Sequence, residues 1–368
     1  MPITASDIGD IVALYLEDFS KQWCDAVRPY QHYITADELF TKRREKGAAS
    51  EKMTFNLKTG EADNTVADSY FNPDSLNRVD LATKGELKWH FQKTHFMVEK
   101  REPAMRSGSK TQILNYLKMQ ESDMYDGFFK QNEDWFWTLP TAPNDGTAGI
   151  PIPFGLPYWV VQDSTAAYHI NTTVPTDYSS GVANILGTAV PQWGNGAATY
   201  ASMNDSDFVA KLGECFDKSS FRAPRPGMGE NVPARNYQMF SSYKPYQDYS
   251  HHLYGSNENV GADAGKWRGG KPENNPGHHV FRGVTWEWVP ALTDTTGDAR
   301  DTNEPVYGLN WDTFKIKTYD DLFMDRASPI DLNGQHNTVV QWMDTGYQIC
   351  CNSRRQNFVM RAATASAS

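Results

Sequence analysis

Cysteine is scarce in this chain. Only four occur among 368 residues, namely Cys24, Cys215, Cys350 and Cys351. A disulfide framework is not expected in so long a chain with so few cysteines. The adjacent pair cannot close a relaxed bridge, because neighbouring Cα atoms lie about 3.8 Å apart and a disulfide prefers roughly 4.4–6.8 Å. We therefore expect reduced thiols.

Long apolar runs are also missing. No stretch approaches the roughly 20 apolar residues of a membrane span. The N-terminal segment is interrupted by Asp7, Asp10, Glu17 and Asp18, whereas a secretory signal needs a basic start and an unbroken apolar segment. The sequence thus predicts a protein made and used in the cytoplasm, or released by lysis.

Positive charge is in deficit, since 45 acidic and 35 basic side chains give a net charge of −10. Such a surface repels nucleic acid overall, so a role facing DNA would rest on a local basic patch or on none. The basic cluster at residues 42–46 contains Glu45, which favours a solvated loop or a patch for an acidic neighbour. Hydrophobic content of 39% allows a sizeable core, and the length predicts one large or two intertwined domains.

Motifs of catalysis and metal binding are lacking as well. SGSKT at residues 107–111 has neither the first glycine nor the Gly-Lys order of a phosphate loop, and indicates a turn with a helix cap. The histidine pairs at 251–252 and 278–279 are adjacent, whereas zinc ligands on a helix are usually three or four residues apart. DTTGDARD at 294–301 lacks the EF-hand register. It favours a solvated loop and leaves weak calcium binding open.

One carboxylate could belong to a glycosidase. Glu287 lies between Trp286 and Trp288, but such an enzyme needs a second carboxylate at a defined separation, and the sequence identifies none. On a strand, the tryptophans would share one face and Glu287 would take the other, which is ordinary alternation. A polysaccharide-binding protein or depolymerase remains the alternative function. No catalytic, cofactor-binding or metal-binding residue is predicted.

Apolar periodicity predicts the helices. One face recurs at steps of three and four over residues 8–23, and a second helix covers residues 109–132. A third spans residues 205–221, with one apolar face made by Phe208, Leu212, Cys215 and Phe216. A further short helix starts at about Ser250. The second helix carries an acidic side formed by Glu121, Asp123 and Asp126.

Strands are predicted from alternation. LKTGEAD at residues 57–63 is typical of a turn between two short strands. Leu87, Trp89 and Phe91 alternate with polar residues and should share one face. The phase then slips, which indicates a bulge or a twist. Aromatic residues on a long exposed hairpin would aggregate unless another surface covered them, and this suggests assembly.

The segment GYQICCNSRRQNFVM closes a β-rich C-terminal region. If it is extended, Cys350 and Cys351 point to opposite faces and cannot share a metal ion. Buried cysteines behave as small hydrophobic residues. Arg354 and Arg355 then interrupt the strand, and a guanidinium fork suits a carboxylate on a neighbouring element or subunit. The acidic side of the second helix is one candidate partner.

Three segments, VFRGVTWEWVPAL, EPVYGLNWDTFKI and GYQICCNSRRQNFVM, resemble the major capsid proteins of tailed double-stranded DNA bacteriophages, which have the Hong Kong 97-type fold. The layout is similar over most of the chain, and the motifs are confined to the last third. The resemblance implies an α+β fold with the following segments: 1–40 as N-arm, 41–102 as an extended β-hairpin loop (E-loop) over a neighbouring subunit, 103–137 as spine helix of the peripheral domain, 138–310 as axial domain, and 311–368 as C-terminal strands returning to the peripheral domain.

The resemblance also implies a function. The chain would be a structural protein, not an enzyme, that self-assembles into hexamers and pentamers of an icosahedral shell around phage DNA. Expected partners are copies of itself, a separate scaffolding protein, a portal and decoration or cement proteins, with DNA near only by non-specific proximity, no membrane and no cofactor. The protein would be assembled in the host bacterial cytoplasm and reside in the virion capsid. Candidate inter-subunit contacts are Trp89, Phe91, Arg354 and Arg355.

Overall fold

The computed structural model defines two compact units within the chain. The smaller unit includes Lys93–Lys130 and Met324–Asp344, and the larger unit includes Ile34–Gln92, Gln131–Phe323 and Thr345–Ser368. The structure describes the following residues: 33–47, 50–58, 82–99, 110–140, 152–175, 178–219, 236–258, 279–282, 284–292, 303–320, 322–328, 330–332 and 335–363.

The α-helices are α1 Ile34–Asp37, α2 Lys110–Phe136, α3 Leu156–Trp159, α4 Ala210–Lys218 and α5 Tyr243–Glu258. Helix α2 confirms the predicted second helix and extends it to Phe136. A π-helical turn, Asp205–Val209, precedes α4 and begins where the third helix was predicted. Helix α5 begins before the predicted Ser250, and the predicted helix over residues 8–23 lies outside the described residues. No described helix combines the length and apolarity that crossing a bilayer requires.

The strands are β1 Arg44–Gly47, β2 Lys52–Lys58, β3 Ala82–Lys88, β4 His90–Glu99, β5 His169–Asn171, β6 Asn195–Tyr200, β7 Tyr237–Ser241, β8 His279–Phe281, β9 Val284–Trp288, β10 Val306–Asn310, β11 Phe314–Tyr319, β12 Asp325–Arg326, β13 Ile330–Leu332, β14 Gln335–Cys351 and β15 Phe358–Ala362. The predicted β-rich C-terminal region is confirmed. Together with the helices, these strands confirm the α+β class.

A seven-stranded sheet forms the centre of the larger unit, in the order β5-β6-β15-β10-β7-β9-β8. The last strand, β15, runs parallel to β6 and antiparallel to β10. Its side chains from Phe358 to Met360 are almost fully buried, as expected for a strand with covered faces. The C-terminal strand therefore shares a sheet with strands of segment 138–310, which the predicted segment boundaries did not foresee.

Helix α4 and the π-helical turn cover one face of this sheet. Phe208, Leu212, Cys215 and Phe216 are all buried in one apolar core that includes Trp286 and Phe358, so the predicted apolar face is confirmed. The ring of Phe208 stacks on Trp286 with centroids 5.8 Å apart. Such aromatic pairs add to the stabilisation that burial of apolar area supplies.

Residues 44–46 of the basic cluster lie in β1, which belongs to a second sheet of the larger unit, so the predicted solvated loop is wrong for them. Strand β1 runs parallel to β11, which pairs in antiparallel register with the end of β14. Arg43 binds Asp312 at 2.7 Å, and Glu45 pairs with Lys315. Arg43 is thus paired with a carboxylate of the same chain, in agreement with the alternative prediction of a patch for an acidic neighbour.

Strands β2 and β3 form a separate two-stranded hairpin. Their register pairs Leu57 with Thr83 and Lys58 with Ala82. The predicted tight turn at residues 57–63 is therefore wrong at its start, because Leu57 and Lys58 are already paired with a strand distant in sequence. The connection between the strands lies outside the described residues.

In the smaller unit, β12 and β13 both pair in antiparallel register with β14. Arg326 binds Glu121 at 2.6 Å and also contacts the Tyr125 ring and hydroxyl. The acidic side of α2 therefore has an arginine partner, but it is Arg326 and not the Arg354–Arg355 pair suggested by the sequence.

Candidate functional site

The predicted contact residue Trp89 is covered by its own chain. Its side chain is only 6% exposed, its indole Nε1 donates to the Ser50 carbonyl at 2.8 Å, and its ring meets Tyr319 edge-on at 5.4 Å. The burial of Trp89 therefore requires no second subunit. Trp89 lies between β3 and β4. Residues that cover it, such as Tyr319, form the surface that a partner would contact.

Phe91 differs from Trp89 in exposure. Its ring also contacts Tyr319, at 5.3 Å, so the predicted common face of the two residues is confirmed. Yet 52% of Phe91 is exposed. His90, on the opposite face, is buried between Trp135 and Tyr347. The face with His90 is therefore covered by the chain, whereas Phe91 is an aromatic group that remains accessible to a partner.

Arg354 is a buried anchor. Its side chain is 1% exposed, and its guanidinium donates to the Trp159 carbonyl at 2.6 Å, the Trp193 carbonyl at 2.7 Å and Asn195 Oδ1 at 3.0 Å. The expected carboxylate partner is wrong for Arg354, because these donors go to neutral oxygens. The planar fork can reach several acceptors at once, and here it ties together α3, the turn before β6, and β6 itself.

The electrostatics of Arg354 agree with this role. Burial lowers the pKa of its guanidinium from 12.5 to about 10. The group remains cationic at neutral pH, so the carbonyl dipoles must solvate a full charge, and the guanidinium also lies 5.8 Å from the Trp193 ring centroid. Arg355, in contrast, is exposed. Of the two arginines, Arg355 is the one that a partner could reach.

Glu133 is a buried carboxylate that sequence reasoning missed. It lies near the C-terminal end of α2, is 5% exposed, and accepts from the backbone N–H groups of Thr35 at 3.4 Å and Ala36 at 2.8 Å. Trp137 Nε1 also donates to it, at 3.1 Å. These contacts hold α1 against the end of α2. A glutamate within an amphipathic helix gives no local signal of such a role.

Burial raises the pKa of the Glu133 carboxyl from 4.5 to about 7. The hydrogen bonds from Ala36, Thr35 and Trp137 act in the opposite direction, because they favour the charged form. Desolvation is the larger effect. Glu133 therefore changes its protonation state near neutral pH while it holds α1.

The three described cysteines, Cys215, Cys350 and Cys351, are free and buried. Burial raises the pKa of the Cys350 and Cys351 thiols to about 12, which leaves almost no reactive thiolate at neutral pH. Among the described residues, no three potential metal ligands come together. The adjacent cysteines therefore contribute to packing, as predicted.

Glu287 lies between two tryptophans on β9. Trp286 and Trp288 both pack against α5, through Tyr249 at 4.7 Å and Tyr243 at 5.4 Å. The predicted common face of the tryptophans is therefore confirmed, and Glu287 alternates with them.

Two described histidines of the adjacent pairs, His252 and His279, have separate partners. His252 Nε2 lies 2.9 Å from Asp205 Oδ1, and His279 Nε2 lies 2.6 Å from Ser250 Oγ. His278 and the loop at residues 294–301 lie outside the described residues, as does most of SGSKT.

Comparisons with known proteins show the same fold. No family model and no curated protein matches the sequence. Solved structures do match: a chain of the cyanophage A-1(L) capsid asymmetric unit is 15% identical with a TM-score of 0.57, covering 93% of this chain and 96% of that one. A chain of the native GTA particle capsid is 10% identical with a TM-score of 0.53, covering 95% and 96%. A capsid chain of Myoviridae phage XM1 is 9% identical with a TM-score of 0.53, covering 95% and 98%. The resemblance drawn from the C-terminal motifs is thus confirmed at the level of the fold, which this chain shares with chains of phage capsids.

Proposed function

We propose that this chain is the major capsid protein of a tailed double-stranded DNA phage or a related particle. The observation that carries the proposal is coverage: the likeness spans at least 93% of this chain and at least 96% of each of the three capsid chains. A fold alone does not fix function. A match that covers nearly all of this chain and nearly all of each capsid chain favours the same structural role.

The chemistry of the described residues supports a structural protein rather than an enzyme. The thiols of the described cysteines are buried. Carbonyl oxygens solvate the charge of Arg354, and Glu133 accepts hydrogen bonds from backbone N–H groups. Arg354 and Glu133 thus hold elements of the larger unit together. The polysaccharide-binding or depolymerase alternative has no comparable observation in its favour.

The domain layout is part of the proposal. Residues 1–40 would form the N-arm, 41–102 the extended loop, 103–137 the spine helix and 138–310 the axial domain. Because β15 lies in the sheet formed by β5 to β10, the proposed return of the C-terminal strands to the peripheral domain is restricted to the strands from β11 to β14. The strands of the hairpin pack on their own chain, through Phe55 against Trp159 and Trp193.

In the proposed assembly, copies of the chain form hexamers and pentamers of a closed shell in the virion, built in the host cytoplasm with a scaffolding protein, a portal and decoration proteins as further partners. Obligate interfaces of this kind bury upward of roughly 2,000 Å². Phe91 and Arg355 are exposed and would touch a partner, whereas Trp89 and Arg354 would act by shaping the surface around them. A net charge of −10 would keep packaged DNA from adhering to the inner face.

Sedimentation velocity and negative-stain imaging of the expressed chain test this proposal. The chain, alone or with the scaffolding protein from its own genome, should form capsomers or closed shells. A strict monomer under both conditions refutes the proposal. Turnover of a polysaccharide that is lost in Glu287→Gln while oligomerisation is unchanged would establish the enzyme alternative instead.

A further inference from the structure

Helix α1 is attached to the rest of the larger unit by few polar contacts. Its backbone N–H groups at Thr35 and Ala36 donate to the Glu133 carboxylate at 3.4 and 2.8 Å, and Trp137 Nε1 donates to the Thr35 hydroxyl at 3.0 Å. Among the residues that the structure describes, no other hydrogen bond and no ion pair joins α1 to another element. A helix of four residues is not stable by itself. Its position therefore depends on Glu133 and on the burial of Thr35 and Ala36.

The chain that follows α1 is held by different contacts. A π-helical turn, Glu38–Lys42, continues from the helix, and its Phe40 is 4% exposed. The Phe40 ring packs against Phe136 at 5.4 Å and against Tyr347 at 5.3 Å. None of these contacts involves Glu133. Detachment of α1 therefore leaves the anchor at Phe40 in place, and the change of backbone direction falls at the turn.

Glu133 is subject to two opposing effects. It is buried and forms no ion pair with a described residue, so only hydrogen bonds compensate its charge, and an unpaired buried charge is costly. Burial accordingly raises the pKa of its carboxyl from 4.5 to about 7, although the hydrogen bonds act to lower it. The Thr35 hydroxyl suits both protonation states, because a hydroxyl can donate to the carboxylate or accept from the acid.

Other titratable groups on the neighbouring elements do not bind Glu133. These groups are Asp37 on α1, Glu38, Lys42 and Arg43 at the turn, Lys130 and Asp134 on α2, and Tyr347 on β14. The Asp37 carboxylate accepts from the Thr41 hydroxyl at 3.0 Å, Glu38 forms ion pairs with Lys42 and Arg43, and the Tyr347 hydroxyl donates to Asn132. Within the described part of the chain, Glu133 is therefore the titratable group that holds α1.

We propose that Glu133 is a proton-linked latch, so that loss of the proton from its buried carboxyl favours the detachment of α1 from α2. When α1 detaches, water can hydrate the carboxylate, and the pKa of the group returns toward 4.5. Detachment is then least favourable below pH 4.5, becomes more favourable as the pH rises, and levels off above about 7. Because α1 follows the N-terminal residues in the chain, its detachment frees the point at which they join the larger unit. This latch is a property of one molecule and does not depend on the proposed capsid function.

Hydrogen exchange followed by mass spectrometry tests the latch in the unassembled full chain. Exchange rates between pH 5 and 7.5 are divided by the intrinsic rate at each pH, which gives the protection of each peptide. Protection of residues 34–37 should fall by more than about tenfold over this range, whereas that of residues 39–42, at the Phe40 anchor, should change less. Low concentrations of urea should leave the protection of residues 34–37 unchanged, because a local opening exposes little surface.

Two variants assign the effect to the carboxyl. Glu133→Gln should make the protection of residues 34–37 independent of pH, because glutamine does not ionise. The matched control is Gln131→Ala, at an exposed position two residues earlier in α2, which should keep the pH dependence of the wild-type chain. A Glu133→Gln variant that retains the wild-type pH dependence would show that another group controls α1.

The wild-type series decides the question even if Glu133→Gln does not fold. Protection of residues 34–37 that is constant from pH 5 to 7.5 overturns the proposal. Protection that falls only together with that of the buried strand at residues 347–351, and in a manner that urea accelerates, shows unfolding of the whole unit and also overturns it. A chain that assembles into shells but shows either result keeps the capsid function and loses the latch.

Discussion

Replacing Glu133 by glutamine should remove a pH dependence of stability from the protein. The carboxyl has a pKa of about 7 in the folded chain and 4.5 as its reference value. Its raised pKa means that the folded state binds a proton more tightly than the unfolded state between these two values. The stability contributed by the protonated group is therefore complete below pH 4.5 and is lost as the pH rises through 7.

The size of the effect follows from the two pKa values. At about 1.4 kcal/mol for each pH unit, the interval from 4.5 to about 7 corresponds to roughly 3 kcal/mol. Glutamine is neutral at every pH and keeps an oxygen that can accept from Ala36. It places an amide where the second carboxylate oxygen accepts from Trp137, and the cost of that mismatch does not depend on pH. The free energy of unfolding of Glu133→Gln minus that of wild type should therefore increase by roughly 3 kcal/mol between pH 4.5 and 7.5.

Urea denaturation followed by tryptophan fluorescence at a series of pH values measures this difference. Trp137 reports directly, because its indole binds Glu133. The control is Gln131→Ala, at an exposed position of the same helix that carries no ionisable group, for which the difference should stay flat. Parallel stability curves for Glu133→Gln and wild type across the pH range would show that Glu133 ionises normally and would refute the reasoning.

Two further predictions concern the closing strand. Arg354→Ala should lower the free energy of unfolding by more than about 3 kcal/mol, because it leaves the buried acceptors of Trp159 and Trp193 without their donor. Arg355→Ala, at the exposed neighbour, should change the free energy of unfolding by less than about 0.5 kcal/mol. Equal losses of stability in the two variants would contradict the anchoring role of Arg354. The buried thiols at 350–351 should resist iodoacetamide at pH 8, read by peptide mass spectrometry, and should be alkylated only after denaturation. Rapid labelling of the native protein would contradict their burial.

Much of the secondary structure could be predicted from the sequence, because periodicity is a local property. The apolar face that includes Phe208 and Phe216 and the alternation through Trp89 and Phe91 follow from the spacing of apolar residues. The burial of adjacent cysteines on opposite faces of one strand followed in the same way. The missing catalytic motifs, the aromatic strands and the long second helix, all visible in the sequence, favoured a shell-building protein.

Tertiary structure decided what covers each face and which groups meet. Arg354 binds carbonyl groups more than 150 positions earlier, and Glu133 binds amides 97 and 98 positions earlier. The sequence pattern does not reveal these partners. A hydrogen bond to a backbone group does not depend on which side chain that residue carries. The insertion of β15 between β6 and β10 likewise depends on long-range pairing. An apolar strand encodes that it is buried, but not between which neighbours.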